Sequence, residues 1–100
     1  MDVGAAAAVS ETAPLAVEVA GFAVLIVRCG SELLAVEDRC THDGEPLAAA
    51  EIEKCEIVCP RHGAHFCLRT GAALTPPAYE PLRTFQVREA DGRILLAPPG

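Results

Sequence analysis

Cys40-Thr41-His42 and Cys59-Pro60-Arg61-His62 are the stretches that decide how this 100-residue chain is read. Sixteen residues, 43–58, separate them. Each box offers one thiolate and one imidazole, close enough in sequence to converge on a single site. A C-x-H box followed about 15–17 residues later by C-x-x-H arises in roughly 5 of 10,000 shuffles of such a composition. Searching many motifs raises that about tenfold and still leaves coincidence rare. A lone His reads as a hydrogen-bonded core or surface residue, and a lone Cys as a small buried apolar one. Four such residues in two boxes read as metal ligands. Cys2His2 suits tetrahedral zinc. Zinc fingers, however, place two Cys together and then two His together, whereas each box here mixes the types. That mixing suits a two-iron cluster with both thiolates on one iron and both imidazoles on the other.

Outward from the boxes the sequence reads as short strands. Leu15, Val17 and Val19 alternate with Ala16, Glu18 and Ala20, a period of two. Residues 22–27 form a continuous apolar run, broken at Cys29-Gly30-Ser31-Glu32 and resumed over 33–36, which predicts a hairpin. Ile52 and Ile57-Val58 predict two short strands around a turn at Glu53-Lys54. Phe85 and Val87 alternate with polar neighbours, Asp91-Gly92 signals a type I′ turn, and 94–96 returns. Residues 47–51 are helix-like but too short to stand alone. The expectation is an antiparallel all-β single domain over 1–100, with a frayed N-terminus over 1–12 and a stretch over about 38–81 that, apart from those two short strands, is not strand-like. That stretch holds most of the Pro and Cys and all three His. Irregular segments of this length in small domains are usually functional.

Composition narrows the function. Hydrophobic residues make up 51% of the chain, but 18 of them are Ala, there is no Trp, and only Phe22, Phe66, Phe85 and Tyr79 are aromatic. So dilute a core in so small a domain calls for a staple, which a metal joining two loops would supply. The net charge is −6, without a Lys/Arg cluster, so no nucleic-acid partner is expected. No uncharged apolar run reaches membrane-spanning length, and the N-terminal Ala run lacks a basic flank, so neither a membrane span nor a signal peptide is expected. Five Cys without a secretion signal, with His nearby, read as metal binding or catalysis in a reducing cytoplasm rather than as a disulfide framework.

The two boxes, with the run from Cys59-Pro60-Arg61-His62-Gly63 to Thr75-Pro76-Pro77, resemble Rieske [2Fe–2S] proteins, and within them the Rieske-type ferredoxins serving bacterial ring-hydroxylating dioxygenases. The resemblance covers roughly 15–97. It implies the Rieske fold, a β-sandwich or barrel-like base with an inserted cluster-binding subdomain. It implies that Cys40 and Cys59 hold a buried iron, and that His42 and His62 hold an outer one at the exposed tip. It implies a one-electron carrier that is not catalytic alone, so no catalytic residue is expected. A flavin-containing reductase would supply its electrons and a terminal oxygenase would receive them. A monomer is expected. Two alternatives are the small subunit of a nitrite reductase and a structural Cys2His2 zinc module for protein interaction.

Respiratory Rieske proteins carry a further Cys in each box, joined as a disulfide, and a Ser and a Tyr near the cluster. Glu45, Arg61, Ala64 and Phe66 stand at the matching positions here. The missing hydroxyl donors predict a potential near the low end of the Rieske range, around −150 mV. Gly44 and Gly63 would let backbone pass close to a cluster. Pro60 would fix the backbone inside the second box. Thr75-Pro76-Pro77 with Pro81 resembles the family's covering loop. His65 is expected to pack or hydrogen-bond near the site, and Cys29, Cys55 and Cys67 to be structural. Asp43, Glu45, Glu51 and Glu53 make the first box's surroundings acidic.

Overall fold

A computed structural model describes residues 1–10, 13–39, 47, 51–59, 63–75 and 81–97. Their architecture is three antiparallel sheets stacked through one central strand. The central sheet has the order β2 (Leu15–Val19), β3 (Phe22–Cys29), β4 (Glu32–Glu37) and β8 (Thr84–Phe85). One outer sheet is β1 (Asp2–Ala5), β10 (Arg93–Leu96) and β9 (Val87–Ala90). The other is β5 (Glu51–Glu53), β6 (Glu56–Val58) and β7 (His65–Cys67).

The apolar run in β3 is continuous because the strand is covered on both faces. Side chains alternate along a strand. Val24 and Ile26 accordingly enter a core with Ala6, Val9, Val19, Ala35, Ile94 and Leu96, under the β1-β10-β9 sheet. Leu25 and Val27 point the other way, into a core with Val36, Leu47, Ile57, Cys59, Ala64, Phe66, Leu68 and Leu82. β4 divides likewise, Ala35 to the first core and Val36 to the second. β2 lies at the edge of its sheet, and its alternation of Glu18 and Ala16 outward with Val19 inward matches one-sided burial.

The turn at Asp91-Gly92 has both φ angles positive, +52° and +74°, as a type I′ hairpin requires. The β5–β6 turn lies one residue later than the sequence suggested. Lys54 and Cys55 take the left-handed positions at φ +51° and +62°, so Cys55 belongs to the turn and does not begin a strand. The helix-like stretch is not helical at its described ends: Leu47 is irregular and buried, and Glu51 opens β5. Residues 48–50 lie outside the described residues.

The N-terminus departs from the expected fraying. β1 pairs with β10 through a bulge between Asp2 and Gly4, Ala6 and Val9 are buried, and the Arg93 guanidinium donates to the Asp2 carboxylate at 2.9 Å. Alanine and glycine carry little strand propensity, so nothing local announced this strand. The open edge of β10 and the core beneath it decide the matter. Residues 11 and 12 lie outside the described residues.

Candidate metal centre

The loops that would hold a metal are fixed at their roots by hydrogen bonds. Beyond β4, Asp38 donates its N–H to the Ala23 carbonyl at 2.9 Å, and its carboxylate accepts the Leu47 N–H at 2.7 Å. The chain entering the first box is thereby tied to the point where it returns. Beyond β6, the Cys59 N–H donates to the Ala64 carbonyl at 2.8 Å, and the Gly63 N–H donates back to the Cys59 carbonyl at 2.9 Å. Gly63 has φ +71°, a left-handed conformation that glycine adopts without the Cβ penalty. A third root precedes the proline segment. There the Thr75 hydroxyl accepts the His65 N–H at 2.9 Å, and the Leu82 N–H donates to the Gly71 carbonyl at 2.7 Å.

Of the four expected ligands, Cys59 lies within the described residues, and Cys40, His42 and His62 lie outside them. So do Asp43, Gly44, Glu45, Pro60, Arg61, Pro76 and Pro77. Cys59 is 1% exposed and packs in the core shared by β3, β4, β6 and β7. A thiol-bearing residue at a loop root, desolvated among Leu, Ile and Phe, fits the inner position of an iron–sulfur group, where hydrophobic surroundings exclude solvent from the metal. Ala64 and Phe66 are both 0% exposed in the same core. Neither side chain carries a hydroxyl, so neither can donate a hydrogen bond there.

His65 takes the hydrogen-bonding role expected of it. Its Nδ1 lies 3.1 Å from the Glu56 carboxylate, a diagonal pair across β6 and β7, where Val58 stands opposite His65 and Glu56 opposite Cys67. Cys67 is a half-buried thiol held below its ordinary value, first by the Thr70 hydroxyl and then by the Thr70 N–H. Glu51 and Glu53 are exposed on β5.

The expectation of no disulfide framework is corrected at one pair. Cys29 and Cys55 are joined, their Cα atoms 5.6 Å apart. The end of β3 and the β5–β6 turn are brought together by the packing of two sheets, and no feature of a single sequence pairs residues 26 positions apart. Arg69, which sequence reading did not single out, reaches both sulfurs.

Comparison with known proteins fits this geometry. The family model for the Rieske [2Fe–2S] domain matches residues 1–86. The chain belongs to the Rieske [2Fe–2S] family. A ferredoxin subunit of 3-phenylpropionate/cinnamic acid dioxygenase from Photorhabdus laumondii is 44% identical over 66 residues, covering 65% of this chain. The match spans just under two thirds of that relative's length, 63%. The ferredoxin of carbazole 1,9a-dioxygenase from Nocardioides aromaticivorans IC177 superposes with a TM-score of 0.93 at 31% identity, covering 99% of this chain and 97% of that one. A chain from a complex of reduced oxygenase and oxidized ferredoxin in carbazole 1,9a-dioxygenase gives a TM-score of 0.89 at 30% identity, covering 97% and 100%. The Rieske domain carries a [2Fe–2S] cofactor, and the all-β architecture is that of Rieske ferredoxins. Among the described residues no helix is long and apolar enough to cross a membrane.

Proposed function

We propose that this chain is a one-electron carrier, the ferredoxin component of a multicomponent oxygenase. It accepts electrons from a flavin-containing NAD(P)H reductase and delivers them to a terminal oxygenase that acts on aromatic substrates. The observation that carries this reading is Cys59, buried at a hydrogen-bonded loop root between two sheets in a chain of the Rieske family. The carbazole dioxygenase complex of oxygenase and ferredoxin supports the oxygenase as acceptor.

Cys40 and Cys59 would hold the inner iron, and His42 and His62 the outer one. When bound, the [2Fe–2S] group takes up and releases a single electron. Four protein ligands leave no open position for a substrate, so the chain supplies transport and not catalysis. Its own residues set how easily the electron is held. Leu25, Ile57 and Phe66 keep water from the Cys59 side, and Ala64 and Phe66 offer no hydroxyl to stabilise added negative charge. The potential therefore falls near the low end of the Rieske range, around −150 mV. The subdomain over about 38–81 is the redox module, and the β2-β3-β4-β8 and β1-β10-β9 sheets are its base. The carrier works as a cytoplasmic monomer, making the small, brief contacts typical of redox partners.

Dithionite reduction followed by EPR spectroscopy tests this directly. A rhombic signal with a mean g value below that of all-cysteine [2Fe–2S] centres is expected, and His42→Ala or His62→Ala abolishes it. Bound zinc without iron, or a potential above about +100 mV, refutes the reading.

A further inference from the structure

The Arg69 guanidinium stands over the Cys29–Cys55 disulfide. Its Nη2 lies 3.6 Å from the Cys29 sulfur and 3.8 Å from the Cys55 sulfur. Its Nη1 donates to the Glu32 carboxylate at 2.6 Å, and Glu32 is the residue directly opposite Cys29 in the β3–β4 register. The cation is therefore held in place from the same strand pair that carries one of the sulfurs. A neutral disulfide gains little from an adjacent positive charge. A thiolate gains a great deal, because the charge lowers its pKa and makes it a better leaving group.

The two sulfurs are unequal. Cys29, the last residue of β3, is 6% exposed. Cys55 is half-buried in the β5–β6 turn, with Arg69 itself about half exposed beside it. An incoming thiolate reaches Cys55 more readily, and the sulfur then displaced is Cys29, which the guanidinium also contacts.

We propose that Cys29, Cys55 and Arg69 form a thiol–disulfide exchange site for a dithiol reductant, with Arg69 stabilising the departing Cys29 thiolate. One thiolate of the dithiol attacks the Cys55 sulfur. The Cys29–Cys55 bond breaks, and its electron pair leaves on Cys29. The second thiol of the reductant, having lost its proton, attacks its partner sulfur in the mixed disulfide and expels Cys55 as a thiolate. Both protein thiolates take up the two protons given up by the dithiol. The protein disulfide gains two electrons and two protons, and the reductant becomes a disulfide. The exchange unties the β5–β6 turn, four residues before Cys59, from the central sheet. The site stands independently of the electron-carrier reading, since neither cysteine is an expected iron ligand.

The test uses the full-length, iron-loaded protein, with dithiothreitol as the dithiol and glutathione as a trapping monothiol. Acid quenching, alkylation and peptide mapping follow the sulfurs. In the oxidised protein a linked Cys29–Cys55 peptide is expected. Dithiothreitol opens it without denaturant, and glutathione is recovered on Cys55. Arg69→Met slows opening by about threefold to tenfold and Arg69→Lys restores it, the range set by how strongly exchange rates follow leaving-thiol pKa. The proposal is overturned by absence of the linked peptide, by a linkage that opens only in denaturant, or by glutathione found on Cys29. An unchanged rate in folded Arg69→Met overturns it as well. The glutathione position needs no variant, so it decides the matter even if Arg69→Met does not fold.

Discussion

Replacing Gly71 by alanine tests how tightly the proline-segment root is closed. Gly71 has φ +78°, where an L-residue costs about 1–2 kcal/mol. The added Cβ would land on the Leu82 carbonyl oxygen, with the Leu82 carbonyl carbon and the Thr84 Cγ2 each at 3.1 Å. Relief requires the Leu82 backbone to withdraw, which breaks the 2.7 Å bond from its N–H to the Gly71 carbonyl. Overpacking costs about 1–3 kcal/mol and the hydrogen bond about 1 kcal/mol, so about 3 kcal/mol is expected on top of the backbone term. Gly92→Ala is the control. Its φ is +74°, but nothing lies within 4 Å of the added carbon, so it loses only the backbone term. For a domain of this size each kcal/mol moves the melting temperature by about 4–8 °C, so Gly71→Ala should melt about 12–24 °C below Gly92→Ala. The assay is paired thermal scans of both iron-loaded variants at one scan rate, followed by far-UV circular dichroism. Equal losses in the two variants would refute the claim that Leu82 closes on Gly71.

Arg28 donates to the Val9 and Ala6 carbonyls and to Glu89, tying the N-terminal segment to β3 and β9. Arg28→Met should lower stability by about 1–2 kcal/mol in urea unfolding, and no change would mean that this segment needs no such tie. Ala64→Ser introduces the hydroxyl that the buried wall lacks. If it favours the reduced state by about 1 kcal/mol, the potential rises by roughly 40 mV, read by spectroelectrochemical titration, and a fall would contradict the assignment. Acidification should loosen two ties. The Arg93 hydrogen bond holds the Asp2 carboxyl below its ordinary 3.8, and the Arg69 hydrogen bond holds Glu32 below 4.5. The unfolded chain therefore binds more protons in this range. The stabilisation is complete above those ordinary values and is lost as pH falls through the lowered ones. Asp2→Asn should remove its share of the slope in a stability–pH profile.

The sequence spoke clearly where each residue's neighbours along the chain were enough. Alternation located β2, the doubly covered run located β3, and Asp91-Gly92 fixed its hairpin. The two boxes named the family, because ligand chemistry constrains residue type and spacing together. What stayed hidden depended on distant contacts. β1 forms because β10 offers an edge, not because its Ala and Gly prefer strands. His65 finds Glu56 only through the β6–β7 register. Arg69 gains its place beside Cys29 and Cys55 from the meeting of two sheets. Of the expected ligands, Cys59 is seen at its loop root, and the placement of Cys40, His42 and His62 rests on the resemblance.

The double burial of β3 also divides the chain's freedom to vary. Val24 and Ile26 answer only to the half of the molecule bounded by Ile94 and Leu96, and Leu25 and Val27 only to the half that holds Cys59. A change of side-chain volume at 24 or 26 is therefore felt first in the distal half, and one at 25 or 27 in the half that holds Cys59. An engineer could randomise 24 and 26 to harden the scaffold and keep 25 and 27 for tuning the potential, working on two objectives along one strand.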